Sequence, residues 1–225
     1  MNRTWAVAGL LAALLLPTLA PAAGTATIEA GPEGKRKRAM LEYRGDQLRL
    51  ETQVRDGLPV VLLQRDGSLY ILANDLVLDA EQAMALLGQQ VPIPTVGPLD
   101  FSRFIALEPT PRTELHAGIG GKVYLLRYAD RAGEARAEEM VMSTDPRAVE
   151  LSRALLAVGD TLRRSTEVPA VPDEARLRAA LQGQGVLRFG RDFRVLALSA
   201  QSPPPARFEL PSMPLRFPSF EGFGR

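Results

Sequence analysis

The side chains that most often carry enzymatic chemistry are scarce in this sequence. His116 is the only histidine, and there is no cysteine among the 225 residues. These two features argue against most zinc, haem and thiol chemistry and leave one imidazole as a candidate general base. The sequence contains no Gly-x-Ser-x-Gly elbow, no phosphate-binding glycine loop and no calcium-binding Asp-x-Asp pattern. We therefore predict that the protein is not an enzyme, that it uses no cofactor or metal, and that His116 is a structural side chain in a strand.

Two charged clusters invite a functional interpretation. Lys35–Arg38 is a run of four basic residues, and Glu138 and Glu139 form an acidic pair. A basic run can bind nucleic acid or anionic lipid, but Glu29 and Glu33 lie beside this one in the sequence. We interpret the basic run as the solvated start of a strand and the acidic pair as a solvated strand edge.

The first 22 residues have the layout of a secretory signal peptide. Arg3 supplies a positive charge, and Val7 to Leu16 form an uncharged apolar run. That run is shorter than the ~20 apolar residues of a membrane-spanning helix. The segment Ala20-Pro21-Ala22 places small residues where a signal peptidase requires them, which predicts cleavage near Ala22. We expect an exported, soluble protein with no stable membrane insertion after cleavage.

The composition of the remaining chain limits its partners and its fold. The sequence has 27 basic and 26 acidic side chains, and loss of Arg3 with the signal leaves none in excess. Such a balance gives no general electrostatic reason to bind nucleic acid or an anionic membrane surface. Without cysteine the fold must rest on a buried core, for which a hydrophobic fraction of 46% suffices. The scarcity of lysine beside arginine is typical of GC-rich bacteria, which makes the periplasm the expected compartment.

The first half of the mature chain predicts antiparallel strands. Thr25 to Ala30 is a candidate first strand, and alternating apolar residues around a Gly-Asp turn predict a hairpin over 39–51. Continuous apolar runs around an Asp-Gly turn predict another hairpin over 60–72, followed by a short strand at 76–78. Asp79 and Gln82 then have the spacing of a capping box, which predicts a short helix over Ala80–Leu87.

Five prolines, at positions 92, 94, 98, 109 and 111, punctuate the segment 89–112. Because proline lacks the backbone N–H of a sheet ladder, we expect little regular structure here. Phe101, Phe104, Ile105 and Leu107 are predicted to form one helical turn pinned to the core. They are our candidate contacts for an apolar ligand or a lid. A segment of this length is typical of a lid or binding loop, or of a packed crossover, and both interpretations stay open.

The segment from Thr113 to Arg164 is the best-defined part of the sequence. Gly118, Gly120 and Gly121 predict a bulge or sharp bend in a strand. Alternating residues on both sides of an Asp130–Gly133 turn predict that this strand pairs with a second one. Asp145 and Pro146 then begin a long helix. Its apolar stripe is predicted to pack on the sheet and comprises Ala148, Leu151, Leu155, Val158 and Leu162.

The last part of the chain predicts smaller elements. We expect a second helix over Asp173–Gln182 and a hairpin formed by Gly185–Phe189 and Phe193–Leu198. Arg207 to Leu210 is predicted as a last strand. Residues 212–225, rich in Phe, Pro and Gly, are predicted to form an extended, mobile tail.

Several short motifs lie along the mature chain: Arg65-Asp66-Gly67 with Tyr70, Ala117-Gly118-Ile119 with Gly121 and Tyr124, Asp145-Pro146, and Phe208-Glu209-Leu210-Pro211. Together with the order of the elements, they resemble exported bacterial proteins with the lipoprotein-carrier (LolA/LolB-like) half-barrel, and more closely an uncharacterised periplasmic branch of that fold. The resemblance implies an α+β domain over 23–211, in which a curved, incomplete antiparallel β-barrel wraps around one long and one or two short helices. The matched positions are turns and core residues, so no ligand-binding residue is transferred.

Two functions follow from this resemblance. Relatives with this fold bind lipoprotein acyl chains or sense envelope components. We expect a non-enzymatic periplasmic protein that binds a lipid or another apolar ligand in the concavity of the half-barrel. The alternative is an envelope protein-interaction or sensor module whose concavity is filled by its own side chains. The expected partners are a lipid, a lipoprotein or another envelope component, and the oligomeric state is left open.

Overall fold

The computed structural model describes residues 23–53, 59–74, 76–79, 82, 101–165 and 173–215. The strands within these ranges are β1 (Ala23–Ala30), β2 (Lys37–Arg44), β3 (Gln47–Gln53), β4 (Pro59–Arg65), β5 (Ser68–Ala73), β6 (Leu76–Asp79), β7 (Phe101–His116), β8 (Ile119–Asp130), β9 (Ala135–Ser143), β10 (Gly185–Phe189) and β11 (Phe193–Ser199). The helices α1 (Pro146–Ser165) and α2 (Glu174–Ala180) lie between β9 and β10, and a 3-10 helix (Pro205–Phe208) follows β11.

The described strands form one antiparallel sheet in the order β6-β5-β4-β3-β2-β1-β11-β10-β9-β8-β7. The pairing of β1 with β11 joins the two halves of the chain at its centre. In the described ranges the edge strands β6 and β7 do not pair, so the sheet stays open instead of closing into a barrel. Strand β7 nevertheless contacts β11, which would lie about 19 Å away in a flat sheet. This half of the sheet is therefore strongly curved, in agreement with the predicted α+β class.

Most hairpins form where the sequence predicts them. In the hairpin of β2 and β3, Leu41 pairs with Leu50 and Tyr43 with Leu48, and these side chains form one buried face. In the hairpin of β4 and β5, Asp66 and Gly67 have φ angles of 51° and 73°. Two successive positive φ angles are typical of the tight turns that Asp-Gly favours. The predicted hairpin of β10 and β11 is also confirmed.

The region 101–112 differs from the prediction. The predicted helical turn over Phe101–Leu107 is wrong, because these residues belong to the sixteen-residue strand β7. Pro109 and Pro111 fit into it because β7 is an edge strand. Its pairing with β8 also shifts register between Pro109 and Thr113. At edge strands and bulges, the missing N–H of proline removes no hydrogen bond between neighbouring strands.

The segments before β7 are described only in part. Residues 83–100 lie outside the described ranges, and so does most of the helix predicted over Ala80–Leu87. The backbone N–H of Gln82 does donate to Asp79 Oδ1 at 2.8 Å, as the predicted cap requires. None of the helices in the described ranges is both long and apolar enough to cross a membrane.

The predicted bulge or bend in the glycine-rich strand is instead a complete hairpin turn. Ala117 and Gly118 have φ angles of 50° and 74° and reverse the chain between β7 and β8. The structure therefore has three strands in this region, β7, β8 and β9, where the sequence predicts two. Gly121 has a different role, because a Cβ there would lie 2.6 Å from Val141 Cγ1 on the neighbouring strand.

Helix α1 begins as predicted and packs its apolar stripe against the sheet. The Asp145 carboxylate accepts the backbone N–H of Arg147 at 2.9 Å, which caps the first turn. The helix contacts β1, β3, β5, β10 and β11. At its start it lies directly on β10, where a Cβ on Gly185 would be 2.1 Å from the Ala148 carbonyl carbon.

The C-terminal segment packs on a second, smaller core. The predicted strand over Arg207–Leu210 is wrong, since three consecutive prolines lead into a 3-10 helix whose first residue is Pro205. Phe208 is buried with Leu63, Leu72 and Val77. The chain then runs beside β6, where the Leu215 N–H donates to the Val77 carbonyl at 2.8 Å. Residues 216–225 of the predicted tail lie outside the described ranges.

Candidate functional site

The four predicted apolar contacts all lie on β7, but not in equivalent surroundings. Phe101 is buried, with its ring centroid 6.1 Å from that of Tyr128. Phe104 and Leu107 are partly buried and pack against the main core. Ile105 is 42% exposed and is not part of that core. The structure therefore brings three of the four to the core and leaves Ile105 at the surface.

Helix α2 lies beside these residues and contributes apolar side chains of its own. It contacts β7, and Leu177 and the C-cap residue Leu181 pack against the main core. No residue of α2 itself is buried, however. We call the group Phe104, Leu107, Leu177 and Leu181 the β7–α2 junction. It is a stretch of core boundary where apolar side chains from a strand and a helix remain in partial contact with solvent.

The apolar stripe of α1 is least buried at its last member, Leu162. Ala148 and Leu151, in its first two turns, are fully buried. Leu162, near its end, is only partly buried. The last turns of α1 are also the part that ion pairs connect to α2. The stripe therefore stays buried through Val158, and Leu162 is in partial contact with solvent.

Charged side chains hold α2 against α1. Arg178 donates Nη1 to Asp160 Oδ2 at 2.8 Å and Nη2 to Glu174 Oε1 at 2.7 Å. Arg163 forms a second bridge from α1 to Glu174. The hydrogen bond from Arg178 lowers the pKa of Asp160. These ion pairs connect α2 with the last turns of α1, and Leu177 and Leu181 pack it against the main core.

The phenyl ring of Phe104 also contacts a cation at the surface of the junction. The guanidinium of Arg176 lies 5.6 Å from the ring centroid, within the range of a cation–π contact. The Arg176 side chain is 62% exposed, and its ion pair with Asp173 is long, at 3.5 Å. The junction thus combines apolar side chains with a positive charge at its rim.

His116 belongs to a separate cluster of ion pairs. Its Nε2 lies 3.0 Å from Glu114 Oε2. Arg188 donates Nε and Nη2 to the two oxygens of Glu114, each at 3.0 Å, and Nη2 also donates to Glu139 at 3.1 Å. The hydrogen bond from Arg188 is the main cause of a lowered Glu114 pKa.

The ion pairs of this cluster orient the imidazole of His116. Among the described residues, the hydrogen bonds of the His116 ring include no hydroxyl that it could activate as a base. Those residues also contain no group of three or more His, Asp or Glu side chains that could hold a metal. The cluster holds β7 against β10, which is a structural role.

Sequence reasoning missed the apolar edge formed by the C-terminal segment. Leu76 on β6 is 50% exposed, and Met213 and Leu215 beside it are 88% and 41% exposed. This group forms because residues distant in sequence pair with each other, as Leu78 and Leu215 do in a β-bridge. No local pattern could have indicated it.

No known protein family, curated protein or solved structure matches this chain. Its function must therefore be argued from the geometry of the described residues.

Proposed function

We propose that this chain is a non-enzymatic periplasmic protein of the LolA-like half-barrel type that binds a lipid or another apolar ligand at the β7–α2 junction. One observation carries the proposal. Apolar side chains of β7 and α2 pack against the core there, yet Phe104 and Leu107 are only partly buried and α2 buries no residue.

A ligand that covers these side chains gains free energy from the apolar surface it removes from water. That gain is roughly 25 cal/mol for each Å² buried, so each partly exposed Leu or Phe side chain that the ligand covers adds to its affinity. An acyl chain is a suitable ligand because it is long, flexible and without polar groups. The open sheet supports the proposal, since an unclosed curved sheet leaves room for helices and a ligand on its inner side.

Mass spectrometry of the protein purified from its native compartment tests this function. We expect organic extraction to release a lipid or another apolar molecule in stoichiometric amount. The same sample should have Ala23 as its first residue, which tests export and cleavage near Ala22 independently. A protein that carries no ligand and shows no affinity for acyl probes would contradict the proposal.

The non-enzymatic part of the proposal has its own test. His116→Ala removes the only imidazole but none of the side chains at the β7–α2 junction. We expect acyl-probe binding by the variant to equal that of the wild type. A hydrolytic activity of the wild type that His116→Ala abolishes would show that the protein is an enzyme.

A second candidate function is an envelope protein-interaction module. It is favoured by the edge of β6, where Leu76, Met213 and Leu215 account for three of the six exposed large hydrophobic residues in the described ranges. A photo-crosslinking residue at position 76 should then capture one specific periplasmic protein. The same residue at position 115, where Leu115 is 72% exposed far from this edge, is the matched control. Equal labelling at both positions would exclude a specific partner at this edge.

A further inference from the structure

Two turns that are distant in sequence meet at one end of the sheet. The β1–β2 turn and the β10–β11 turn are joined by a hydrogen bond of 2.9 Å from the Gly31 N–H to the Asp192 carbonyl. Arg191 and Glu33 add an ion pair of 3.1 Å between them. We call residues 29–38 and 190–194 the basic end, because they contain six Lys and Arg side chains but only three acidic ones.

The acidic side chains of the basic end neutralise its positive charge only in part. Glu29 pairs with Arg194 at 2.6 Å, and Glu33 pairs with Arg191. Lys35 and Arg38 are exposed, and their side chains form no hydrogen bond or ion pair in the described part of the chain. The exposed Lys37 donates only to a backbone carbonyl, that of Gln53. Within the described residues, Lys35, Lys37 and Arg38 therefore face solvent without an acidic partner, although the mature chain has no net charge.

We propose that the basic end is a docking surface for a membrane that contains anionic phospholipids. Basic side chains near such a surface contribute attraction that adds from residue to residue and falls off within a Debye length. In the described ranges Lys35 lies in the exposed β1–β2 turn, and Lys37 and Arg38 are the exposed first two residues of β2. That geometry suits an extended charged surface better than a single small anion. The proposal concerns a partner and is independent of the ligand at the β7–α2 junction.

The position of the basic end suits delivery or uptake of an apolar ligand. In the antiparallel sheet, the β1–β2, β8–β9 and β10–β11 turns all lie at one end. Phe101 pairs with Asp130 at the end of β8, so strand β7 starts at this same end, three residues before Phe104. Docking through the basic end would therefore turn the start of β7 toward the membrane.

The test is sedimentation of the purified mature protein with phosphatidylcholine vesicles, with or without phosphatidylglycerol. We expect binding that requires phosphatidylglycerol and weakens as salt is added. The triple variant Lys35→Gln, Lys37→Gln and Arg38→Gln should bind these vesicles roughly 100-fold more weakly, since about fivefold is lost with each basic residue.

Two control variants make the result specific. Arg44→Gln, Lys122→Gln and Arg153→Gln together remove the same charge elsewhere and should bind like the wild type. Lys35→Arg, Lys37→Arg and Arg38→Lys together keep the charge and should also bind normally. Binding that does not depend on phosphatidylglycerol, or an equal loss in both charge-removing variants, would overturn the proposal. Acyl-probe binding by all three variants should be unchanged, which separates this test from that of the proposed function.

Discussion

At the scale of single residues, glycines decide how closely neighbouring elements approach. Gly185 lets α1 lie directly on β10, since a Cβ there would be 2.2 Å from the Ala148 carbonyl oxygen and 2.4 Å from the Val149 nitrogen. These are backbone atoms of a helix, which cannot rotate away as a flexible side chain could. The close contact fixes the start of α1, where Ala148 and Leu151 are fully buried.

Gly185→Ala should therefore be strongly destabilising. We expect the free energy of unfolding to fall by about 3 kcal/mol, because α1 has to shift to admit the methyl group. Gly120→Ala is the matched control, since a Cβ at that position meets no atom within 4 Å. Urea denaturation of both variants measures the difference. Equal stability of the two would show that α1 does not lie against β10 in this way.

Arg188 illustrates how one side chain connects strands. We expect Arg188→Met to lower the free energy of unfolding at neutral pH by about 1 kcal/mol. This is the usual contribution of a partly exposed network of charge-assisted hydrogen bonds. Arg127→Met, which removes a more exposed ion pair with Glu108, is the control and should have a smaller effect.

The effect of Arg188→Met should also depend on pH. Arg188 holds the Glu114 pKa below its ordinary value of 4.5. A carboxyl whose pKa is lowered by folding stabilises the protein above its unfolded pKa, and this contribution is lost as the pH falls through the folded pKa. The stability difference between wild type and variant should therefore narrow in acid. A difference that stays constant down to full protonation of Glu114 would contradict the assignment.

At the scale of elements, the C-terminal segment covers a face of the sheet that α1 does not. Phe208 is 1% exposed in the second core. Arg207 donates to Glu42 at 2.8 Å and to Glu51 at 2.7 Å, and Arg65 donates to the Phe208 carbonyl at 3.2 Å. The segment thus attaches residues near the end of the described chain to strands β2, β3 and β4 from its beginning.

Phe208→Ala tests whether this attachment stabilises the whole domain. We expect a loss of about 3 kcal/mol, the usual cost of removing a buried phenyl ring. Met213→Ala, in the same segment but 88% exposed, should change stability by less than about 0.5 kcal/mol. Thermal unfolding followed by circular dichroism compares the two. A Phe208→Ala protein as stable as Met213→Ala would mean that the segment is not docked in solution.

The elements that could be predicted from the sequence are those specified locally. The hairpins around Asp66-Gly67 and Gly190-Arg191-Asp192 depend on alternation and turn residues within a few positions, and both form. The helix after Asp145 likewise has its cap and its stripe within one stretch of sequence. Strand β7 could not be predicted from the sequence, because its prolines are compatible with a strand only at the edge of a sheet. The order of the strands determines that β7 lies at the edge.

The candidate site depended even more on long-range structure. Alternation could not show that Phe104 and Leu107 share the core with Phe101 while Ile105 does not, because β7 shifts register twice before Ala106. The weak burial of α2 and its ion pairs with α1 also had no local signal. For the same reason, the sequence could not show that Arg191 and Arg194 lie beside the run Lys35–Arg38 in the fold.

At the scale of the whole molecule, the two faces of the sheet have different covers. Helix α1 crosses the inner side from β10 toward β5, and the C-terminal segment covers the second core against β4 and β6. At the β7–α2 junction the described elements cover the apolar side chains of the main core only in part. The proposed function follows from this uneven coverage.

The most direct test of that function compares two neighbours on β7. Phe104→Ala removes a ring that packs against the core, whereas Ile105→Ala removes an exposed side chain one residue away. Fluorescent acyl-probe titration of the delipidated protein should show roughly tenfold weaker binding for Phe104→Ala, corresponding to about 1.4 kcal/mol of lost apolar contact. Ile105→Ala should bind the probe like the wild type. Equal affinities for wild type, Phe104→Ala and Ile105→Ala would contradict ligand binding at the β7–α2 junction.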